Sequence, residues 1–135
     1  MAENTPWQLQ FPAQWIAANA RDLFDYDTAT GIVSRKKDGY RGYIRYNKAG
    51  KSIGRTADGT IRRRKTTRID GYVFHVNVSG RRISPSAHII AYFLIHGALP
   101  PIGTTIDHID LNPLNNHPDN LRAATASEQG ATKAA

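Results

Sequence analysis

Two neighbouring residues near the C-terminus, Asp107 and His108, set the chemistry within reach of this chain. An aspartate is a hard oxygen ligand for a divalent cation. An imidazole, with an ordinary pKa of about 6.5, takes a proton from water at neutral pH. Asp110 follows, then the carboxamides of Asn115 and Asn116, then His117, then Asn120-Leu121-Arg122. Carboxylates, carboxamides and imidazoles in one short stretch suit a bound cation and a water to be activated. Residue types alone leave a second account open, in which Asp107, Asp110 and Asp119 are solvated loop carboxylates and His108 is a surface imidazole.

The rest of the chain indicates which substrate such a site would meet. The 135 residues carry a net charge of +7, and the charge is concentrated. Thirteen lysines and arginines lie between Arg35 and Arg68 against only Asp38 and Asp58, so the remainder is net acidic. A stripe this polarised, with tyrosines interleaved, is an electrostatic footprint for phosphates. Lys36, Arg41, Arg45, Arg62, Arg63, Arg64 and Lys65 are the candidate phosphate contacts, with His117 beside the acidic cluster as a further one. Metal-assisted hydrolysis of nucleic acid is the activity these two features imply together. A protein that only binds RNA would rest on the charge and the tyrosines alone.

Composition narrows the classes. With no cysteine, disulfides and thiolate zinc sites are excluded. No apolar run approaches the ~18 residues of a membrane span. The opening Met1-Ala2-Glu3-Asn4-Thr5 has no signal-peptide pattern.

The elements that must position the site read as follows. Residues 1–11 look like a loose arm. A helix is expected from Phe11-Pro12 to about Phe24, burying Ile16, Ala20, Leu23 and Phe24, with Trp15 at the edge of that face. Residues 25–31 form a turn cluster before a short strand, Ile32 to Arg35. Tyr40 to Tyr46 reads as a strand, and Ala49-Gly50-Lys51 and Ala57-Asp58-Gly59 read as turns in a basic segment expected to order on binding. Tyr72 to Val78 alternates as a strand, turns at Ser79-Gly80 and returns over Arg81 to Ser84. His75 reads as a strand-face histidine. Ser84 as N-cap and Pro85 in the first turn begin a helix that buries Ala87, Ile90, Ala91 and Leu94, with Phe93 beside them, and stops at Gly97 and Pro100-Pro101. His88 and His96 on it stand about 12 Å apart, too far to share an ion, so His88 reads as packing or a phosphate contact.

The C-terminal part reads strand, long loop, strand, helix. Thr104 to Ile106 runs into Asp107-His108, residues 112–119 form the loop, Leu121 to Ala124 returns, and Thr125-Ala126-Ser127-Glu128 is a capping box. Neighbours on a regular strand point to opposite faces, so Asp107 and His108 share a site only where the strand ends, twists or bulges.

This ordered text resembles the HNH endonucleases, in particular the phage and homing-type branch with a ββα-metal finger. The matching residues are Asp107-His108-Ile109-Asp110, Leu114-Asn115-Asn116, and Asn120-Leu121-Arg122 with Ala124-Thr125. Leu23 to Tyr26 followed by Thr30-Gly31, and the hairpin and helix running into His96-Gly97, extend the likeness. The resemblance implies an α+β fold: an N-terminal helix, antiparallel β-hairpins, a central helix and a C-terminal ββα-metal finger. It divides the chain into an arm and helix (1–24), a basic β-rich DNA-contacting region (25–84), and a helix plus nuclease finger (85–135). It makes His108 the general base, Asp107 a ligand for Mg²⁺ or Mn²⁺, and Asn120 the residue that holds the loop and orients His108. Gln129 takes the position of a second metal ligand, where Asn or His is usual, and Leu111 stands where a glycine usually follows the aspartate, implying a different loop path. The expected partner is double-stranded DNA, cut one strand at a time by a monomer or homodimer with no membrane association. The resemblance together with the missing signal-peptide pattern leads to the expectation of a cytoplasmic protein, in a bacterial or phage-infected cell. The alternative is a DNA-binding protein of the same fold with weak or lost cleavage.

Overall fold

The computed structural model describes the backbone of residues 5–55, 57 and 61–128, and the side chains of these except 47–55 and 61–68. After a 3-10 turn at Trp7–Leu9 come helix α1 (Phe11–Leu23), strands β1 (Phe24–Asp27), β2 (Ile32–Arg35), β3 (Tyr43–Arg55), β4 (Ile61–Val73), β5 (Val76–Val78) and β6 (Arg81–Ile83), helix α2 (Ala87–His96), strand β7 (Thr105–His108), a 3-10 turn at Pro118–Asn120 and strand β8 (Leu121–Ala124). The strands pair in sequence order as four antiparallel hairpins. The result is a small mixed domain of helices and antiparallel hairpins, as the sequence implies.

One hydrophobic cluster holds these elements together. Ile16 and Ala20 of α1 meet Ile90 and Ala91 of α2, and Phe24, Val33, Phe74 and Leu121 close around them. Phe24 and Phe74 pack with ring centroids 4.8 Å apart. Burying each such large side chain contributes roughly 1.5–3 kcal/mol. α2 ends at Gly97, whose φ of +74° is open to glycine at little steric cost, and its N–H bonds the Phe93 carbonyl at 2.8 Å.

Several expectations change. The arm is docked from Trp7 onward: Gln8 is 4% exposed, and its amide donates to the carbonyls of Pro101 and Thr104, which also takes the Trp7 indole N–H. Leu23 is exposed while Trp15 joins the core, because the helix stops at Leu23 and Phe24 opens β1. Part of the expected turn cluster, Asp25 to Asp27, is therefore strand. Ala49-Gly50-Lys51 lies inside β3, paired with Lys65 and its neighbours rather than turning. The reversal falls between Arg55 and Ile61, where Ala57 is in a turn and Asp58-Gly59 lies outside the described residues. The strand expected over Tyr72 to Val78 breaks at Phe74-His75, where Val73 bridges Ser86 and the Phe74 N–H bonds the Pro85 carbonyl at 2.9 Å. That bond leaves Ser86, not Ser84, as the N-cap of α2.

Candidate active site

The C-terminal hairpin places the acidic-histidine pair. β7 and β8 align Asp107 with Arg122 and His108 with Leu121. Directly opposed residues share a face, so the Asp107 carboxylate meets the Arg122 guanidinium: Nη2 and Nε lie 3.1 and 3.2 Å from Oδ2. Asp107 is 6% exposed, which removes it from the class of solvated loop carboxylates.

His108 turns to other partners. Its Nε2 is 2.9 Å from Asn116 Oδ1, and its ring meets that of His88 edge-on at 5.4 Å. Burial, and then the neighbouring His108, push the His88 imidazole down to about 4, so His88 is neutral at physiological pH. The strand ends at His108. The Leu111 N–H bonds the His108 carbonyl, and Leu111 takes φ +63°, the left-handed turn a glycine adopts readily. The Leu111 side chain stands exposed in this conformation.

Asn120 closes the loop. Its Oδ1 accepts from the Asp110 N–H at 2.9 Å, and its Nδ2 donates to Asp110 Oδ1 at 2.9 Å and to the Asn115 carbonyl at 2.8 Å. Asn115 Nδ2 holds the other Asp110 oxygen. The Asn115 amide, then the Asn112 N–H, with Asn120 adding to them, hold the Asp110 carboxyl below its usual range. These bonds tie Asn120 to the loop and Asn116 to the imidazole, where the resemblance implies both tasks for Asn120. His117 caps the 3-10 turn, its Nδ1 accepting the Asp119 N–H at 3.2 Å.

The capping box is formed. The Thr125 hydroxyl accepts the Glu128 N–H, and the Glu128 carboxylate accepts the Thr125 N–H, with residues 126–128 in a helical turn. Gln129 lies outside the described residues.

The basic candidates divide in two. Lys36, Arg41 and Arg45 are exposed, Lys36 donating to the Arg21 carbonyl and Arg41 lining a crevice beside the β1–β2 hairpin. Arg62, Arg63, Arg64 and Lys65 lie on β4 opposite β3, with Lys51 aligned to Arg64, and their side chains fall outside the described ones. Sequence reasoning gave no role to Arg122 or Tyr26. Arg122 meets Asp107 only through the pairing of β7 with β8, and Tyr26 reaches the loop from 90 residues away.

Among the described residues, no three His, Asp or Glu side chains gather closely enough to hold a metal ion. Mg²⁺ needs fewer from protein: it commonly takes one or two carboxylates and completes its shell with waters and substrate phosphates. A buried aspartate at the end of a hairpin fits that demand, with Arg122 as its partner otherwise.

No described helix is long and apolar enough to cross a membrane. Residues 86–131 match a family model described as HNH endonuclease, which spans α2, β7, the loop, β8 and the capping box. No curated protein and no solved structure matches the chain.

Proposed function

We propose, from the match of residues 86–131 to the HNH endonuclease family model, that this chain is a metal-dependent nuclease that nicks double-stranded DNA, of the phage or homing type. The observation that carries the reading is the coincidence of the matched segment with one hairpin, β7–β8, bearing a buried carboxylate at Asp107, an imidazole at His108 and a loop clamped by Asn120.

In this reading the C-terminal strand–loop–strand–helix start is the ββα-metal finger. His108 takes a proton from water as the oxygen bonds to phosphorus; the bond from phosphorus to the leaving sugar oxygen breaks, and that oxygen is protonated from solvent. Asp107 and Gln129 would hold the divalent cation, Mg²⁺ or Mn²⁺. A cation bound there supplies charge neutralisation at the scissile phosphate. One base per chain cuts one strand, so a break across both strands takes two chains or two events. Residues 85–135 then form the cutting unit. Residues 25–84 would hold DNA through Lys36, Arg41, Arg45 and the basic residues of β3 and β4, with His117 a further contact. B-DNA's major groove admits a two-stranded ribbon, and β3–β4 is one of about 40 Å.

A second reading, a DNA-binding protein of this family with little cleavage, draws on two observations. Arg122 occupies the Asp107 carboxylate, and Gln129 replaces the usual Asn or His. Nicking of supercoiled plasmid separates the two. The first predicts Mg²⁺-dependent nicking that chelator blocks and His108→Ala abolishes while DNA binding survives. Equal behaviour of wild type and His108→Ala would end the catalytic reading. Gln129→Asn should match or exceed the wild-type rate, and a large loss would mean that the longer amide is adapted to this site.

A further inference from the structure

His108 Nε2 faces Asn116 Oδ1 at 2.9 Å. An amide oxygen only accepts, so this contact assigns a ring proton to Nε2 and leaves Nδ1 as the nitrogen not engaged by Asn116. Asn116 is 3% exposed, and its main chain is gripped from the far side. The Tyr26 hydroxyl donates to the Asn116 carbonyl. Burial, then Asp119, then Asp27 raise the Tyr26 phenol to about 12, which keeps that hydroxyl a donor. Gly31, at φ +77°, lies flat on the next peptide. A Cβ there would stand 2.6 Å from the Asn116 carbonyl carbon and 2.3 Å from the His117 nitrogen. Tyr26 and Gly31 belong to β1 and the turn after it, outside residues 86–131.

We propose that Asn116 is the positioning residue that fixes the tautomer and orientation of His108, and that the hairpin of residues 24–35 braces Asn116 through Tyr26 and Gly31. The N-terminal part of the chain then sets the geometry of a base that lies in the C-terminal part. Its catalytic consequence rests on the reading of His108 as a general base; the hydrogen-bond assignment does not.

Nitrogen-15 NMR of the imidazoles in the full chain tests the assignment directly. Wild type should show a slowly exchanging Nε2–H on His108, identified by its loss in His108→Gln. Asn116→Ala should abolish it, Asn116→Asp should retain it because a carboxylate still accepts, and Tyr26→Phe should speed its exchange several-fold. In plasmid nicking, Asn116→Ala should lower kcat by roughly 10–100-fold with KM for DNA little changed, and Asn116→Asp should recover part of the loss. A folded Asn116→Ala that nicks at the wild-type rate, or that keeps the protected Nε2–H, overturns the proposal. Should Asn116→Ala fail to fold, an unchanged exchange rate in Tyr26→Phe overturns the brace. If wild type shows the protected proton yet never nicks, the endonuclease reading fails and the assignment of Asn116 to His108 stands.

Discussion

Arg122 places two nitrogens, Nη2 at 3.1 Å and Nε at 3.2 Å, on a single oxygen of Asp107 across the β7–β8 hairpin. A buried carboxylate needs a counter-charge, and here a guanidinium supplies it. A divalent cation at Asp107 would be a second candidate for the same task. Arginine and metal would then be alternative partners of one carboxylate, each weakening the other's hold.

That competition is measurable. Arg122→Gln leaves Asp107 buried with less compensation and should lower stability by about 1–3 kcal/mol in urea denaturation, the lower end reflecting the guanidinium's partial exposure. Added Mg²⁺ should then raise Tm more in Arg122→Gln than in wild type, because the cation now meets an unpaired carboxylate. An equal Mg²⁺ effect in both proteins would show that Asp107 is not where the ion binds.

Leu111 holds φ +63° with its side chain 55% exposed. A left-handed conformation costs a non-glycine residue roughly 1–2 kcal/mol, and an exposed leucine offers little packing in return. Leu111→Gly removes the strain and adds unfolded-chain entropy of about 0.5–1 kcal/mol. The net expectation is a gain in stability of up to about 1 kcal/mol, read from the denaturation midpoint at constant m-value. A loss of 1 kcal/mol or more would mean that the leucine packs in a way its exposure does not indicate.

How far the sequence could be read follows from how local each signal is. The helix over Phe11–Leu23, the Ser79-Gly80 turn, the Gly97 stop and the Thr125–Glu128 capping box are all encoded within a few residues, and all form. Ala49-Gly50-Lys51 carries a turn's composition yet lies in β3, because pairing with β4 overrides a weak local preference. The break at Phe74-His75 depends on Pro85 and Ser86, which alternation cannot register. Asp107, His108, Asn116 and Asn120 could be picked out as an ordered text, but which amide holds the imidazole is decided by the loop's path. The contacts of Trp7 and Gln8 with Thr104, and of Tyr26 with Asn116, span most of the chain and leave no mark on any window of residues.

His88 gives stability a pH dependence. Its folded pKa, about 4, lies below the ordinary 6.5, so above pH 6.5 both states are neutral and the full stability is present. Below 6.5 the unfolded chain takes up a proton that folded His88 refuses, and stability falls until the folded value is reached. The shift at His75, lowered by desolvation and then by Arg82 and Arg45, acts in the same direction, so a variant is needed for comparison. From pH 7 to 5, above the range of most carboxylates, wild type should lose about 1–2 kcal/mol more than His88→Gln in urea titrations. Parallel losses in the two proteins would remove His88 as the source.

The β3–β4 ribbon is the last feature with a quantitative expectation. Arg62, Arg63 and Arg64 follow one another on β4, and Lys51 is aligned with Arg64, so phosphates could be met from both strands. A protein that neutralises phosphates releases condensed counterions, and log K falls with log salt by about 0.9 for each phosphate engaged on B-DNA. Replacing Arg62, Arg63 and Arg64 together by glutamine should weaken binding to duplexes of every sequence and reduce the salt slope by roughly 2–3. Nicking at saturating DNA should change little, since His108 and Asp107 lie on the separate β7–β8 hairpin. A salt slope equal to wild type would take the ribbon out of the interface. A loss confined to one duplex sequence would mean instead that these arginines read bases in a groove.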